Sequence, residues 1–242
     1  MNRNYLQWYS PALQKNMELL VFGHSGDSIL FFPARMGRFY DYENWRVIEA
    51  MRPKIENGSV QIYCIDSNDR ESFYDPVAHP YYRIQRQIQY EHYILDEVLP
   101  FIKTKNHDAP IVAAGCSLGA YHAVNTALRH PGIFKKVVAM SGRYDLTRQI
   151  GHYNDLLGNY WDENIYFNMP LQYLPNLTDE NLLRELSHTD LVLVVGNEDV
   201  VKDSNTALHQ LLISKGINST MYLWEHEAHQ ARAWRQMVAI YL

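Results

Sequence analysis

Ile111-Val112-Ala113-Ala114-Gly115-Cys116-Ser117-Leu118-Gly119-Ala120-Tyr121-His122 is the stretch on which the reading of this chain turns. An apolar, strand-like run ends in Gly-x-Ser-x-Gly, and a helix-forming run follows at once. In that setting the serine sits on a sharp strand-to-helix turn with its hydroxyl pushed out above a sheet. Gly115 and Gly119 flank it where side chains would collide as strand and helix approach. The bare pattern turns up by chance in roughly one chain in ten of this length, so the strand before it and the helix after it carry the weight. Ser117 is the candidate nucleophile, and the rest of the chain has to supply its partners.

Outward from that turn, apolar runs alternate with amphipathic ones. Strands are expected at Tyr5–Tyr9 (an edge), Met17–Phe22, Ile29–Phe32, Val60–Ile65, Ile111–Ala114, Val137–Met140, Leu191–Val195 and Thr220–Trp224. The second and third are joined by a short turn and are expected to pair as antiparallel neighbours. Helices are expected at Trp45–Met51, Arg83–Ile102 with its last turn weakened by Pro100, Ala120–Arg129, Thr206–Ser214 and Ala231–Leu242. Strands alternating with helices indicate a three-layer α/β/α architecture, a mostly parallel eight-stranded sheet with helices on both faces. No repeat or linker divides residues 1–242, so one domain is expected, with an irregular excursion at about 143–187 over one end of the sheet.

A serine hydroxyl is a weak nucleophile until a base takes its proton, so a histidine and an acid must converge on Ser117. In a parallel sheet such groups sit on loops beyond the strands' carboxyl ends. After Val195 come Gly196-Asn197-Glu198-Asp199; Asp199 is the preferred acid, with Glu198 and Asp203 as alternatives. After Trp224 come Glu225-His226-Glu227-Ala228-His229, which offers His226 and His229 as base. A metal reading of the two histidines is set aside, because their spacing does not match a His-Glu-x-x-His helix and no other ligand cluster is evident. His122 lies inside the helix after the serine and is read as packing there. An oxyanion hole needs two N–H donors. Leu118 supplies one by position, and Arg35 or Met36, in the loop after the third strand, supplies the other. The order Ser…Asp…His is that of the α/β-hydrolase fold. Phe39, Tyr40 and Trp45 in the 39–45 loop, and Tyr160 and Trp161 in the excursion, are the candidate substrate-binding aromatics.

Composition narrows the classes further. The chain has 242 residues, 47% hydrophobic and 20% charged, with a net charge of −5 and no basic cluster, which argues against a nucleic-acid-binding surface. No apolar run reaches membrane-spanning length. The amino terminus lacks the pattern of a signal peptide, so a cytoplasmic protein is expected. Cys64 and Cys116 lie in apolar surroundings and read as buried free thiols. No cofactor is called for. A homo-oligomer is compatible with the sequence.

The chain resembles the esterase D and antigen 85-like branch of the α/β-hydrolases over nearly its whole length. The matching residues are Tyr90–Ile102, Gly115–Ala123, Ser141–Leu146, Tyr166–Pro170, and Leu223-Trp224 leading into the two histidines. The family places its catalytic histidine five residues before a tryptophan, and His229 stands so to Trp234, which selects it over His226. Two departures are visible: Gln230-Ala231 replaces the Asp-Trp often found after that histidine, and Ala34-Arg35-Met36-Gly37 replaces a His-Gly or Asp-Gly. The resemblance implies a serine esterase acting through Ser117, His229 and Asp199 on a small-molecule or acylated ester. An acyltransferase with the same triad, or a non-catalytic binding protein on the same fold, are the alternative readings.

Overall fold

The central strand β5 (Ile111–Cys116) is buried at every position, and its side chains alternate between two hydrophobic cores. The computed structural model describes residues 1–242. The other strands are β1 (Arg3–Ser10), β2 (Lys15–Phe22), β3 (Asp27–Phe32), β4 (Val60–Ile65), β6 (Lys136–Met140), β7 (Asp190–Gly196) and β8 (Ser219–Trp224). They form one sheet in the order β1-β2-β4-β3-β5-β6-β7-β8. β2 runs antiparallel to both β1 and β4, and every other pair is parallel.

Helices cover both faces. On one face lie α4 (Pro80–Tyr93), α5 (Leu99–Lys105), α6 (Leu118–Arg129) and α10 (Lys202–Ser214). Their Tyr90, Ile102, Val124 and Leu208 pack on Leu30, Phe32, Ala113, Val137 and Leu193. On the other face lie α1 (Asp41–Asn44), α2 (Val47–Ala50), α3 (Arg52–Glu56) and α11 (Ala231–Tyr241). There Tyr42, Ile48, Ile55 and Met237 meet Phe31, Val112, Ala114 and Val194. Period-2 alternation in strands apolar on both faces is what sends neighbouring residues to opposite cores. The excursion between β6 and β7 holds three short helices, α7 (Glu163–Tyr166), α8 (Pro170–Tyr173) and α9 (Glu180–Leu186). No helix is long and apolar enough to cross a membrane.

Two sequence expectations are corrected. β2 and β3 are not neighbours, because β4 lies between them and pairs with both. Two strand spacings come to about 10 Å, and a four-residue link can reach about 13 Å, so the short turn does not force adjacency. β4 is buried throughout and satisfies its backbone on both edges by taking the middle place. The helix expected over 83–102 is also not uniform: a π-helical turn, Ile94–Val98, separates α4 from α5. Pro100 offers no N–H and crowds the carbonyl four residues back, and the wider turn just before it relieves that conflict. Glu97 within the turn accepts from Trp8 Nε1 at 2.8 Å and Ser10 Oγ at 2.7 Å, tying the β1 edge to the helix layer.

Candidate active site

Ser117 connects β5 to α6 with φ 58° and ψ −119°, a positive-φ conformation that is costly for a residue with a side chain. Its N–H is fixed to Met140 O at 2.8 Å across the sheet. The flanking glycines are required by space. A Cβ on Gly115 would lie 2.2 Å from Gly119 O, and one on Gly119 would lie 2.3 Å from Phe32 O. Tyr42 ties this corner to its neighbour by donating to Phe32 O at 2.7 Å and accepting from Cys116 N at 3.1 Å. The carboxyl ends of β3 and β5, which carry the two loops beside the serine hydroxyl, are thereby clamped together. Cys64 and Cys116 are buried free thiols, and burial pushes both thiol pKa values well up.

The loops after β7 and β8 bring an acid and an imidazole together. His229 Nδ1 lies 3.2 and 3.1 Å from the two carboxylate oxygens of Asp199. The Asp199 side chain is fully buried and also accepts from Val201 N at 3.1 Å. The His loop rests on the strand end before it: a Cβ on Gly196 would lie 2.1 Å from Glu227 O. His226 and Ala228 adopt φ 62° and 53° as the chain turns back. His226 instead faces solvent, 82% exposed and 3.7 Å from Glu198. Asp203 lies in the first turn of α10 and forms no hydrogen bond or ion pair with His229.

Ser117, Leu118, Arg35 and His229 line one cleft. His229 Nε2 has the Tyr153 hydroxyl at 3.4 Å, and no hydrogen bond joins it to Ser117. Leu118 opens α6, and no side chain caps that helix, so its N–H is one of the donors without an intrahelical partner. Of the two residues expected as second donor, Met36 has its N–H committed to Asp69 Oδ2 at 2.6 Å. The Arg35 N–H has no partner within the protein.

The five aromatics expected at the substrate site are elsewhere. Phe39 is buried against Tyr5 and Tyr40, Trp45 packs on Tyr42 and Trp234, and Tyr40 lines a separate polar cleft with Arg38 and Asp66. Tyr160 packs edge-on to His79, and Trp161 is exposed. Phe39 and Trp45 turn toward the second core because burying their rings there stabilises more than lining an open cleft. The walls near Ser117 are instead Tyr74, Ser141, Arg143, Leu146, Tyr153, Leu156 and Val201. Arg143 and Leu146 belong to one of the stretches that carry the family resemblance, which was the signal available for them. Burial raises the Tyr153 pKa, helped by the nearby Asp199 charge. His122 packs among Phe32, Phe73, Tyr90 and Tyr121 as expected.

A mostly parallel eight-stranded sheet with a strained serine after its central strand defines the α/β-hydrolase class. The model of the family described as "Putative esterase" matches residues 41–238. The chain belongs to that family and is a carboxylic ester hydrolase. No curated protein matches the sequence. Among solved structures, a ferulic acid esterase superposes with a TM-score of 0.78 at 17% identity, over 100% of this chain and 96% of its own. An S-formylglutathione hydrolase from Agrobacterium tumefaciens gives a TM-score of 0.73 at 14% identity, over 98% and 91%. The fluorophosphonate-binding serine hydrolase F of Staphylococcus aureus gives 0.68 at 15%, over 98% and 95%. At these identities the likeness is one of fold.

Proposed function

We propose that this esterase works through a Ser117–His229–Asp199 triad and an acyl-enzyme. Ser117 Oγ attacks the ester carbonyl while His229 Nε2 takes its proton. The tetrahedral oxyanion is received by the N–H groups of Leu118 and Arg35 at the positive end of α6. Collapse expels the alcohol, to which His229 returns the proton. Water, deprotonated by the same imidazole, then releases the acid and regenerates the serine. Asp199 holds Nδ1 as the protonated nitrogen and stabilises the imidazolium formed in each half-reaction.

The observation that carries this reading is the Asp199–His229 pair, placed in the cleft of a serine at φ 58°. A buried carboxylate aimed at one ring nitrogen leaves the other free to act toward the serine. The test is labelling with a fluorophosphonate probe together with p-nitrophenyl ester turnover. Wild type is expected to label. Ser117→Ala and His229→Ala should each lower kcat by more than about 10⁴-fold, and Asp199→Asn by about 10⁴-fold. Folded wild-type protein that neither labels nor turns over an ester would remove the nucleophile assignment. Loss through His226→Ala instead of His229→Ala would move the base.

A further inference from the structure

The side chains of Ser141, Arg143 and Arg35 line the Ser117 cleft and take no part in the acyl-transfer roles assigned above. Ser141, just after β6, is 1% exposed and sits at φ 56°, and its Oγ meets no hydrogen-bond partner. Arg143 is 7% exposed. Its Nε donates to Asp145 O at 3.2 Å, and its Nη2 to Leu146 O at 2.7 Å and Asn154 O at 2.9 Å. Its Nη1 has no partner, and no carboxylate forms an ion pair with it. The two acids nearest in sequence are turned elsewhere. Asp145 is engaged by Thr147, Gln172 and Arg148, and Asp155 by the N–H groups of Leu157 and Asn159. Arg35 is exposed on the same cleft, makes no ion pair, and lies 5.9 Å over the Tyr74 ring.

A buried guanidinium is costly unless an anion compensates it. Here burial outweighs the nearby charges of Asp145 and Asp155, and the Arg143 pKa falls from its ordinary value. The cleft lining contains two arginines and no carboxylate, in a chain whose net charge is −5. Ser141 Oγ and Arg143 Nη1 are donors without acceptors, of the kind a carboxylate takes in charge-assisted bonds. Leu118, Leu146, Leu156 and Val201 supply the apolar part of the wall.

We infer that the esters cleaved at Ser117 carry a carboxylate, held by Ser141, Arg143 and Arg35 beside the scissile bond. This rests on the serine-hydrolase reading above. The carboxylate can reside on the acyl or on the alcohol part of the ester, and two matched pairs separate the sources. For the acyl part, p-nitrophenyl hydrogen terephthalate is compared with p-nitrophenyl 4-methylbenzoate. For the alcohol part, 4-acetoxybenzoate is compared with 4-methylphenyl acetate. The anionic member of at least one pair should have a kcat/KM about tenfold or more above its neutral partner, and that advantage should shrink with added salt.

The ratio within a pair is the readout, so that a general loss of activity cancels. Arg35→Gln, which keeps the backbone N–H, and Arg143→Gln should each bring the ratio close to one. Arg143 also fastens three carbonyls; should Arg143→Gln fail to fold, Arg35→Gln and Ser141→Ala carry the test. Turnover of the neutral esters with no anionic preference in either pair overturns this inference alone. So does a preference that survives unchanged in folded Arg35→Gln and Ser141→Ala. Absence of both probe labelling and turnover of all four esters overturns the serine-hydrolase reading, and this inference falls with it.

Discussion

Asp69, 1% exposed, receives the Met36 N–H at 2.6 Å and has His122 Nε2 at 3.8 Å from its other oxygen. It fixes the turn in which Gly37 N bonds to Ala34 O at 2.8 Å and Met36 sits at φ 57°. That turn also holds Arg35, whose N–H has no partner within the protein, so on the proposed mechanism Asp69 would act on the oxyanion hole through the backbone. Asp69→Ala should lower kcat by about tenfold or more while KM stays near its wild-type value. Asp69→Asn, which keeps an acceptor, should recover most of that loss. A wild-type kcat in folded Asp69→Ala would show that the turn holds itself. None of this was legible in the sequence, where Asp69 is one polar residue in a turn-rich segment. Ser117 and the two loops that carry Asp199 and His229 were legible because each follows a strand whose apolar run announces its own end, whereas the preference for His229 over His226 came from the family resemblance. Met36 and Arg35 could not be separated from sequence, since both occupy the same turn and only the hydrogen-bond partner tells them apart. The aromatics were misplaced for a related reason: composition shows that Phe39 and Trp45 are large and apolar, not which way they turn.

At the scale of elements, Glu91 shows how the helix layer is held against the elbow. It lies on α4 and accepts from Arg129 Nε at 2.8 Å and from His130, both at the carboxyl end of α6. Burial alone pushes its carboxyl pKa up, but the bonds from His130 and Arg129 outweigh it and hold the value below the ordinary 4.5. A depressed carboxyl pKa contributes stability that is fully present above the unfolded value and fades as pH falls through the folded one. Glu91→Gln should therefore destabilise by about 2 kcal/mol near neutral pH, and the gap to wild type should narrow below about pH 4. Urea unfolding of both proteins at the two pH values measures this, and a gap that stays constant or widens in acid would contradict it. The existence of the elements was largely readable, because buried strands are short apolar runs and α6 and α10 are followed by the stops Pro131-Gly132 and Lys215-Gly216. The order of strands was not. Gly23–Gly26 is long enough to reach either the next strand or the one beyond, and only the demand of β4 for two partners decides. The π-turn was half legible: Pro100 announced a disturbance without saying that it would fall at Ile94–Val98.

Across the whole molecule, each of the buried parallel strands serves both cores at once, so neither core can be lost while the sheet persists. Leu30 on β3 is fully buried in the core beneath α4 and α6, whereas its neighbours Ile29 and Phe31 face the core beneath α2 and α11. The tryptophans are unevenly placed with respect to these layers. Trp234 belongs to the second core and Trp45 and Trp224 pack against it, while Trp8 packs against the first. Intrinsic fluorescence thus weights the second core, whereas far-ultraviolet circular dichroism follows helices of both faces. Leu30→Ala opens a cavity in the first core only, at a cost of about 3 kcal/mol, which for a chain of this size lowers Tm by roughly 6–12 °C. Because the sheet couples the layers, the fluorescence midpoint should fall by the same amount as the dichroism midpoint, although the cavity is on the opposite face from most of the reporting indoles. A fluorescence transition left at its wild-type temperature while dichroism shifts would mean that the second core, with α11 and the loop carrying His229, unfolds separately from the first. Coincident midpoints would instead tie the stability of the His229 loop to packing on both sides of β5, the strand that delivers Ser117.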